Sequence, residues 1–277
     1  MTETTYQIHG RTYAAIEWGD RTGTPVVLLH GFLDHAGSWR EVAKDLSGWR
    51  IAFDQRGHGR SAHVPPGESY HFADYLADLD ALSRQIGPIH LVGHSMGGTV
   101  ASMYAGARPD RVLSLVIVDG LGLQDSTNEA VERTVYFLDD MAAPPKNKVF
   151  PSIEVAISRL RSANPHLDDE YALYLATRTT CPVEGGFSWT WDARHRMRGA
   201  IPYRHDHHSQ FLRRITCPVL SVRPEFTPFQ DQNIAILEAN IPQLQRVQIA
   251  GASHMVHLER PAELGAAISG FLAETPR

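Results

Sequence analysis

The stretch IHLVGHSMGGTV, residues 89–100, opens as an apolar run and then places three glycines, a histidine and a serine in six positions. An apolar run of this length reads as a buried strand, and the following MGGTVASMYAGARP reads as a helix. Between them, Gly93-His94-Ser95-Met96-Gly97 fits G-x-S-x-G. A tight strand-to-helix turn strains the backbone at the serine, and side chains two residues before and after it would collide, so glycine serves at both flanks. The strain aims the Ser95 hydroxyl out of the sheet. The amide of Met96, at a helix start whose N–H groups lack partners, is placed to stabilise an oxyanion beside it. Without that chemistry, Ser95 is simply a helix N-cap and the glycines serve packing.

Outward from this turn, short apolar runs recur at VVLLH, WRIAFD and VLSLVIVD, and helical patterns separate them. In HFADYLADLDALSRQI, residues Phe72, Leu76, Leu79, Leu82 and Ile86 recur at helix spacing. Continuous rather than alternating hydrophobicity implies strands covered on both faces, hence an α/β fold with a mostly parallel sheet flanked by helices. The opening TYQIHGRTYAAIEW alternates around His9-Gly10 and reads as a β-hairpin at a sheet edge. After Gly120 the rhythm stops for roughly 95 residues of helical segments and loops without an obvious buried strand. It resumes with CPVLSVRP, the helix FQDQNIAILEAN, the run LQRVQIAG and a closing helix from Pro261. The expected organisation is a core of residues 1–120 and 215–277 interrupted by a mainly helical cap at 121–214.

The motifs VVLLHGF, DQRGHGRS, GHSMGG and GASHMVHLERP arrive in the order and approximate spacing of the α/β-hydrolase family, which the chain resembles over nearly its full length. The tracts GFLDHAGSW, IVDG and FSWTWDARHRMR are most similar to the serine hydrolase-like branch. The resemblance implies that Ser95 is a nucleophile, that His254 is its general base, and that the N–H of Phe32, after His30-Gly31, is a second oxyanion donor beside Met96. His257 is the nearest rival of His254, and Phe32 is otherwise a hydrophobic plug. In most of the family the acid follows the next-to-last strand, but Thr227 stands in that slot and carries no charge for an imidazolium. Asp119, ending the strand VLSLVIVD, is the favoured acid, ahead of Glu225 and then Asp231.

Several other classes lack support. A net charge of -5 without a basic block argues against a nucleic-acid partner. No leader pattern and no apolar run approaching ~18 residues points to the membrane, and a soluble cytoplasmic protein is expected. Cys181 and Cys217 are expected to be free. Gly57-His58-Gly59-Arg60-Ser61-Ala62 spells a dinucleotide fingerprint, but HVPPGES follows in place of a helix. RHDHHS, residues 204–209, lacks metal-ligand spacing and reads as a solvated or cap-anchoring cluster. The run ARHRMR fits an interdomain network better than a carboxylate site, and Phe187, Trp189 and Trp191 are candidates to line a pocket. No cofactor and no metal are expected, and the partner is a small ester-like molecule.

The resulting expectation is a serine esterase working through an acyl-enzyme. Thioesterase, lactonase and carbon–carbon hydrolase chemistry use the same groups, and lyase or oxygenase chemistry and slow ligand receptors share the fold. Serine at position 95 disfavours dehalogenase or epoxide hydrolase chemistry, which on this fold uses an aspartate nucleophile. Asp119→Asn is expected to lower kcat by orders of magnitude with KM little changed, in steady-state ester hydrolysis. A Glu225→Gln enzyme equally crippled would reassign the acid.

Overall fold

The structure, a computed structural model, describes residues 1–275. It begins with the hairpin β1 (Thr2–Ile8) and β2 (Arg11–Trp18), paired antiparallel with Ile8 opposite Arg11. The two-residue loop His9-Gly10 has φ of +49° and +73°, the mirror-image turn whose twist matches that of the strands.

The chain then alternates through β3 (Val26–Leu29), β4 (Arg50–Phe53), α1 (Phe72–Ile86), β5 (Ile89–His94), α2 (Met96–Ala107) and β6 (Val112–Val118). Next come α3 (Ala130–Ala142), α4 (Ile153–Ala163), α5 (Asp169–Thr179), a hairpin of β7 (Thr180–Val183) and β8 (Gly186–Trp189), and α6 (His205–Leu212). It closes with β9 (Val219–Phe226), α7 (Asp231–Glu238), β10 (Leu244–Ser253), α8 (Val256–Glu259) and α9 (Pro261–Glu274).

The main sheet is eight-stranded in the order β1-β2-β4-β3-β5-β6-β9-β10, parallel from β4 to β10. Every residue of β3 and β5 is buried, His90 and His94 of β5 included, as a strand covered on both faces requires. Side chains alternate across the sheet and sort the core into two layers. Val27, Leu29, Leu91, Leu115 and Ile117 pack with Leu79, Leu82, Val100 and Tyr104 from α1 and α2. Val26, Leu28, Val92, Val116 and Val118 pack with Trp39, Val42, Leu264, Ile268 and Phe271 on the opposite face. The path from β3 goes to β4 on one side and returns to lay β5 on the other. This strand-order reversal opens a crevice at the carboxyl ends of β3 and β5, the place where open α/β sheets bind ligands.

The 121–214 segment differs from expectation in two ways. It contains the antiparallel pair β7 and β8, joined to Phe150 by a further bridge; the strands are four residues each, interrupted by Pro182 and by Gly185-Gly186, too short for a periodicity signal. It also ends in a helix that lies in the core: α6 packs on α2, with a Ser102 Oγ to His208 Nε2 hydrogen bond of 2.9 Å. The RHDHHS tract is thus an anchor, His205 reaching the Leu123 carbonyl (2.7 Å) and His208 also meeting the Tyr203 hydroxyl (2.7 Å). Among the described residues no helix is long and apolar enough to cross a membrane. Cys181 and Cys217 are free.

Many of the fifteen histidines are core residues. Burial, which penalises the charged imidazolium, pushes His35 down to about 4 and His195 and His208 down to about 3, and holds His58 and His94 well below the usual histidine range. These groups stay neutral when folded but take up protons near pH 6.5 when unfolded, so their contribution is complete above that pH and is lost as pH falls toward the folded values. The melting temperature is expected to stay nearly level from pH 7.5 to about 6.5 and to drop from there to 5.5, each such histidine losing about 1 kcal/mol over that unit. A flat calorimetric profile over that range would contradict neutral burial.

Candidate active site

Ser95 is the single residue between β5 and α2, with φ +52° and ψ -119°. A non-glycine residue held there stores roughly 1–3 kcal/mol of strain. Its N–H donates to the Val118 carbonyl (3.0 Å), and its carbonyl accepts the first amides of α2, from Gly98 (2.9 Å) and Thr99 (3.1 Å). The bend is so tight that a Cβ on Gly93 would lie 2.3 Å from the Gly97 carbonyl oxygen. A Cβ on Gly97 would lie 2.5 Å from the Leu29 oxygen and 2.6 Å from that of His30, at the end of β3.

His254 follows β10 directly and reaches back over the bend. Its Nε2 lies 2.9 Å from Ser95 Oγ, and its Nδ1 lies 2.6 Å from Asp119 Oδ2. A carboxylate only accepts, so Nδ1 carries the proton and Nε2 is free to accept from the serine hydroxyl. Asp119, one residue past β6, turns out of the sheet with φ +42° while its N–H stays bonded to the Val222 carbonyl (2.9 Å). Its side chain is only 1% exposed, and its second oxygen accepts from Thr227 Oγ1 at 2.8 Å.

The rivals stand elsewhere. Glu225 is exposed and accepts from the Gly251 N–H (2.7 Å), Asp231 pairs with Arg223, and His257 is buried against Asp34 (3.2 Å). His94 packs beneath the turn and donates from Nε2 to the His254 carbonyl (2.7 Å), tying the serine's neighbour to the histidine loop.

The two expected oxyanion donors come from different elements. Met96 begins α2, so its N–H has no acceptor within the helix. The Phe32 N–H belongs to the peptide whose carbonyl, Gly31 O, meets His30 Nδ1 at 2.7 Å. Because that unit is planar and trans, the bond that pins the carbonyl also sets the direction of the N–H. On the other side of Phe32, the Leu33 N–H donates to His58 Nε2 (3.2 Å). These histidine roles carried no signal in the sequence beyond the His30-Gly31 pair.

The chain matches the alpha/beta hydrolase fold family model over residues 24–261. It belongs to the α/β-hydrolase fold family, in its serine hydrolase-like branch. A serine hydrolase-like protein of Danio rerio is 31% identical over 92% of this chain and 83% of its own length. The serine hydrolase-like protein 2 of Homo sapiens is 26% identical over 94% and 90%. Among solved structures, the thioesterase domain from the curacin biosynthetic pathway aligns with a TM-score of 0.88 at 30% identity, covering 97% of this chain and 99% of that domain. Relatives and fold together support a hydrolase.

In this α/β-hydrolase Ser95 opens into a cavity of about 340 Å³ lined by Phe32, Tyr70, Phe72, Tyr75, Met96, Thr99, Leu123, His195 and Phe229. None of these side chains carries a formal charge at neutral pH, burial keeping His195 neutral. The tyrosines and Phe72 escaped sequence reasoning, since residues on a distant loop and helix meet the serine only through the fold. Phe187, Trp189 and Trp191 lie away from this wall. Trp189 packs on Phe150 and stacks on Trp191, and Phe187 is bridged to Phe150. The basic run is structural as well: Arg194 binds Asp192 and the Val64 and Pro65 carbonyls, and Arg196 and Arg198 lie over Trp191 and Tyr136.

Half-buried Asp34 and the buried His94 and His257 form a group whose polar atoms lie within 4.8 Å of one another. The two rings are packed 4.2 Å apart, and each spends Nε2 on a protein acceptor, so the group props the site from below.

Gly97→Ala is expected to destabilise the protein by about 2 kcal/mol or more, because the new methyl meets fixed carbonyls. Gly270→Ala, in α9 with nothing within 4 Å, is expected to be neutral or stabilising by up to about 1 kcal/mol. Urea unfolding of both checks this; equal effects would refute the tight bend.

Proposed function

We propose that this α/β-hydrolase is a serine esterase that cleaves a small to medium carboxylic ester through an acyl-enzyme. The single observation that carries the reading is His254 bonded to Ser95 at 2.9 Å and to Asp119 at 2.6 Å. His254 takes the Ser95 proton as Oγ attacks the ester carbonyl, and the Phe32 and Met96 amides hold the oxyanion. Asp119 keeps the proton on Nδ1 and stabilises the imidazolium, which then protonates the departing alcohol. Water activated by the same histidine releases the acid and restores the serine. The uncharged, largely aromatic cavity favours a neutral, apolar acyl group over a substrate carrying a second carboxylate. Free Cys181 and Cys217 agree with work in the reducing cytoplasm.

A second reading, thioester cleavage with the same three residues, draws support from the thioesterase domain among the structural neighbours. A fluorophosphonate probe is expected to label the wild-type chain and not a Ser95→Ala variant, with turnover of short-chain 4-nitrophenyl esters. Absence of labelling would overturn the reading, labelling without turnover of any ester or acyl thioester would favour a ligand receptor, and faster turnover of thioesters than of matched esters would select thioesterase.

A further inference from the structure

We infer that Thr227 is a positioning residue for the Asp119–His254 pair, an assignment that rests on the serine hydrolase reading above. Thr227 lies one residue beyond β9, in the slot where most of the family carries its acid. Its hydroxyl donates to Asp119 Oδ1 at 2.8 Å, and the same oxygen accepts the Phe229 N–H at 3.2 Å. A hydroxyl has one proton, and here the accepted N–H and the carboxylate together fix where it points.

The carboxylate is held from both ends. Oδ2 meets His254 Nδ1, Oδ1 meets Thr227, and the 1% exposure of the side chain leaves bulk water little access to replace a lost donor. Rotation of the carboxylate about its own axis would carry Oδ2 away from Nδ1, and the Thr227 bond opposes that rotation. The second arm of the hydroxyl secures Phe229, whose ring stands edge-on to His254 with centroids 5.5 Å apart and lines the cavity beside Ser95. One oxygen therefore couples the acid to the wall behind the imidazole. In place of a charge, the residue after β9 supplies a hydrogen bond to the carboxylate at the end of the neighbouring strand β6.

The test is steady-state hydrolysis of 4-nitrophenyl butyrate by the full chain. Thr227→Val keeps the shape and removes the donor; kcat is expected to fall about 10- to 100-fold, the scale of a hydrogen bond to a charged group, with KM within about twofold. Thr227→Ser, which keeps the hydroxyl, is expected to recover kcat to within about threefold of the parent. Thr227→Ala, equally without a donor, carries the comparison if circular dichroism shows that valine disturbs the fold. In the Asp119→Asn background, Thr227→Val is expected to cost little more, because the group it orients is already lost. The assignment is overturned if the donorless variants keep full kcat, if serine restores nothing, or if the loss persists undiminished in the Asp119→Asn background. Should Asp119→Asn itself retain kcat, the triad reading fails; should it lose kcat while Thr227→Val does not, only the role of Thr227 falls.

Discussion

Two backbones meet at less than a side chain's distance where the bend after β5 presses on the end of β3. Gly97 sits against the carbonyls of Leu29 and His30, and Gly93 against that of Gly97, so the first turn of α2 is wedged at the reversal of strand order. That contact places the start of a helix, a strained serine and the His30–Leu33 loop around one crevice. The histidine loop is then drawn to the same point by the bond from His94 to the His254 carbonyl, separate from the ring's own bonds to Ser95 and Asp119. Without the wedge, donors that come from separate segments would have no shared centre.

How much of this is legible in the sequence follows from the kind of signal each part leaves. Strands β3, β5 and β6 are covered on both faces and so read as mainly apolar runs, interrupted by His90 and Ser114, and α1 declares itself through Leu79 and Leu82 at helix spacing. The β7–β8 hairpin is too short and too rich in proline and glycine to show a period. Helix α6 hides its place in the core because its buried side is His208, Ser209 and Leu212, a face more polar than apolar. The connection from β3 to β4, two short 3-10 turns around Trp39 and Val42, has no periodic pattern to read.

At the candidate site the split is similar. Ser95 announces itself by the glycines its bend demands, and Asp119 by standing at a strand's carboxyl end. Thr227 registers in the sequence only as a missing charge, whereas in the fold its hydroxyl donates to the Asp119 carboxylate. Tyr70, Phe72 and Tyr75 have no motif because their common property, facing Ser95, exists only in three dimensions.

The 121–214 segment is fastened to the rest of the chain at several points. Arg194 grips the Val64 and Pro65 carbonyls, Tyr70 holds Asp192 (2.8 Å), the Tyr171 hydroxyl binds the Ser38 carbonyl (2.9 Å), and Arg178 reaches Glu3 on the edge strand. These ties join it to the stretches around Glu3, Ser38 and Val64. Half-exposed Phe32 lines the cavity beside Ser95, so one apolar side chain meets both the solvent and whatever occupies the cavity.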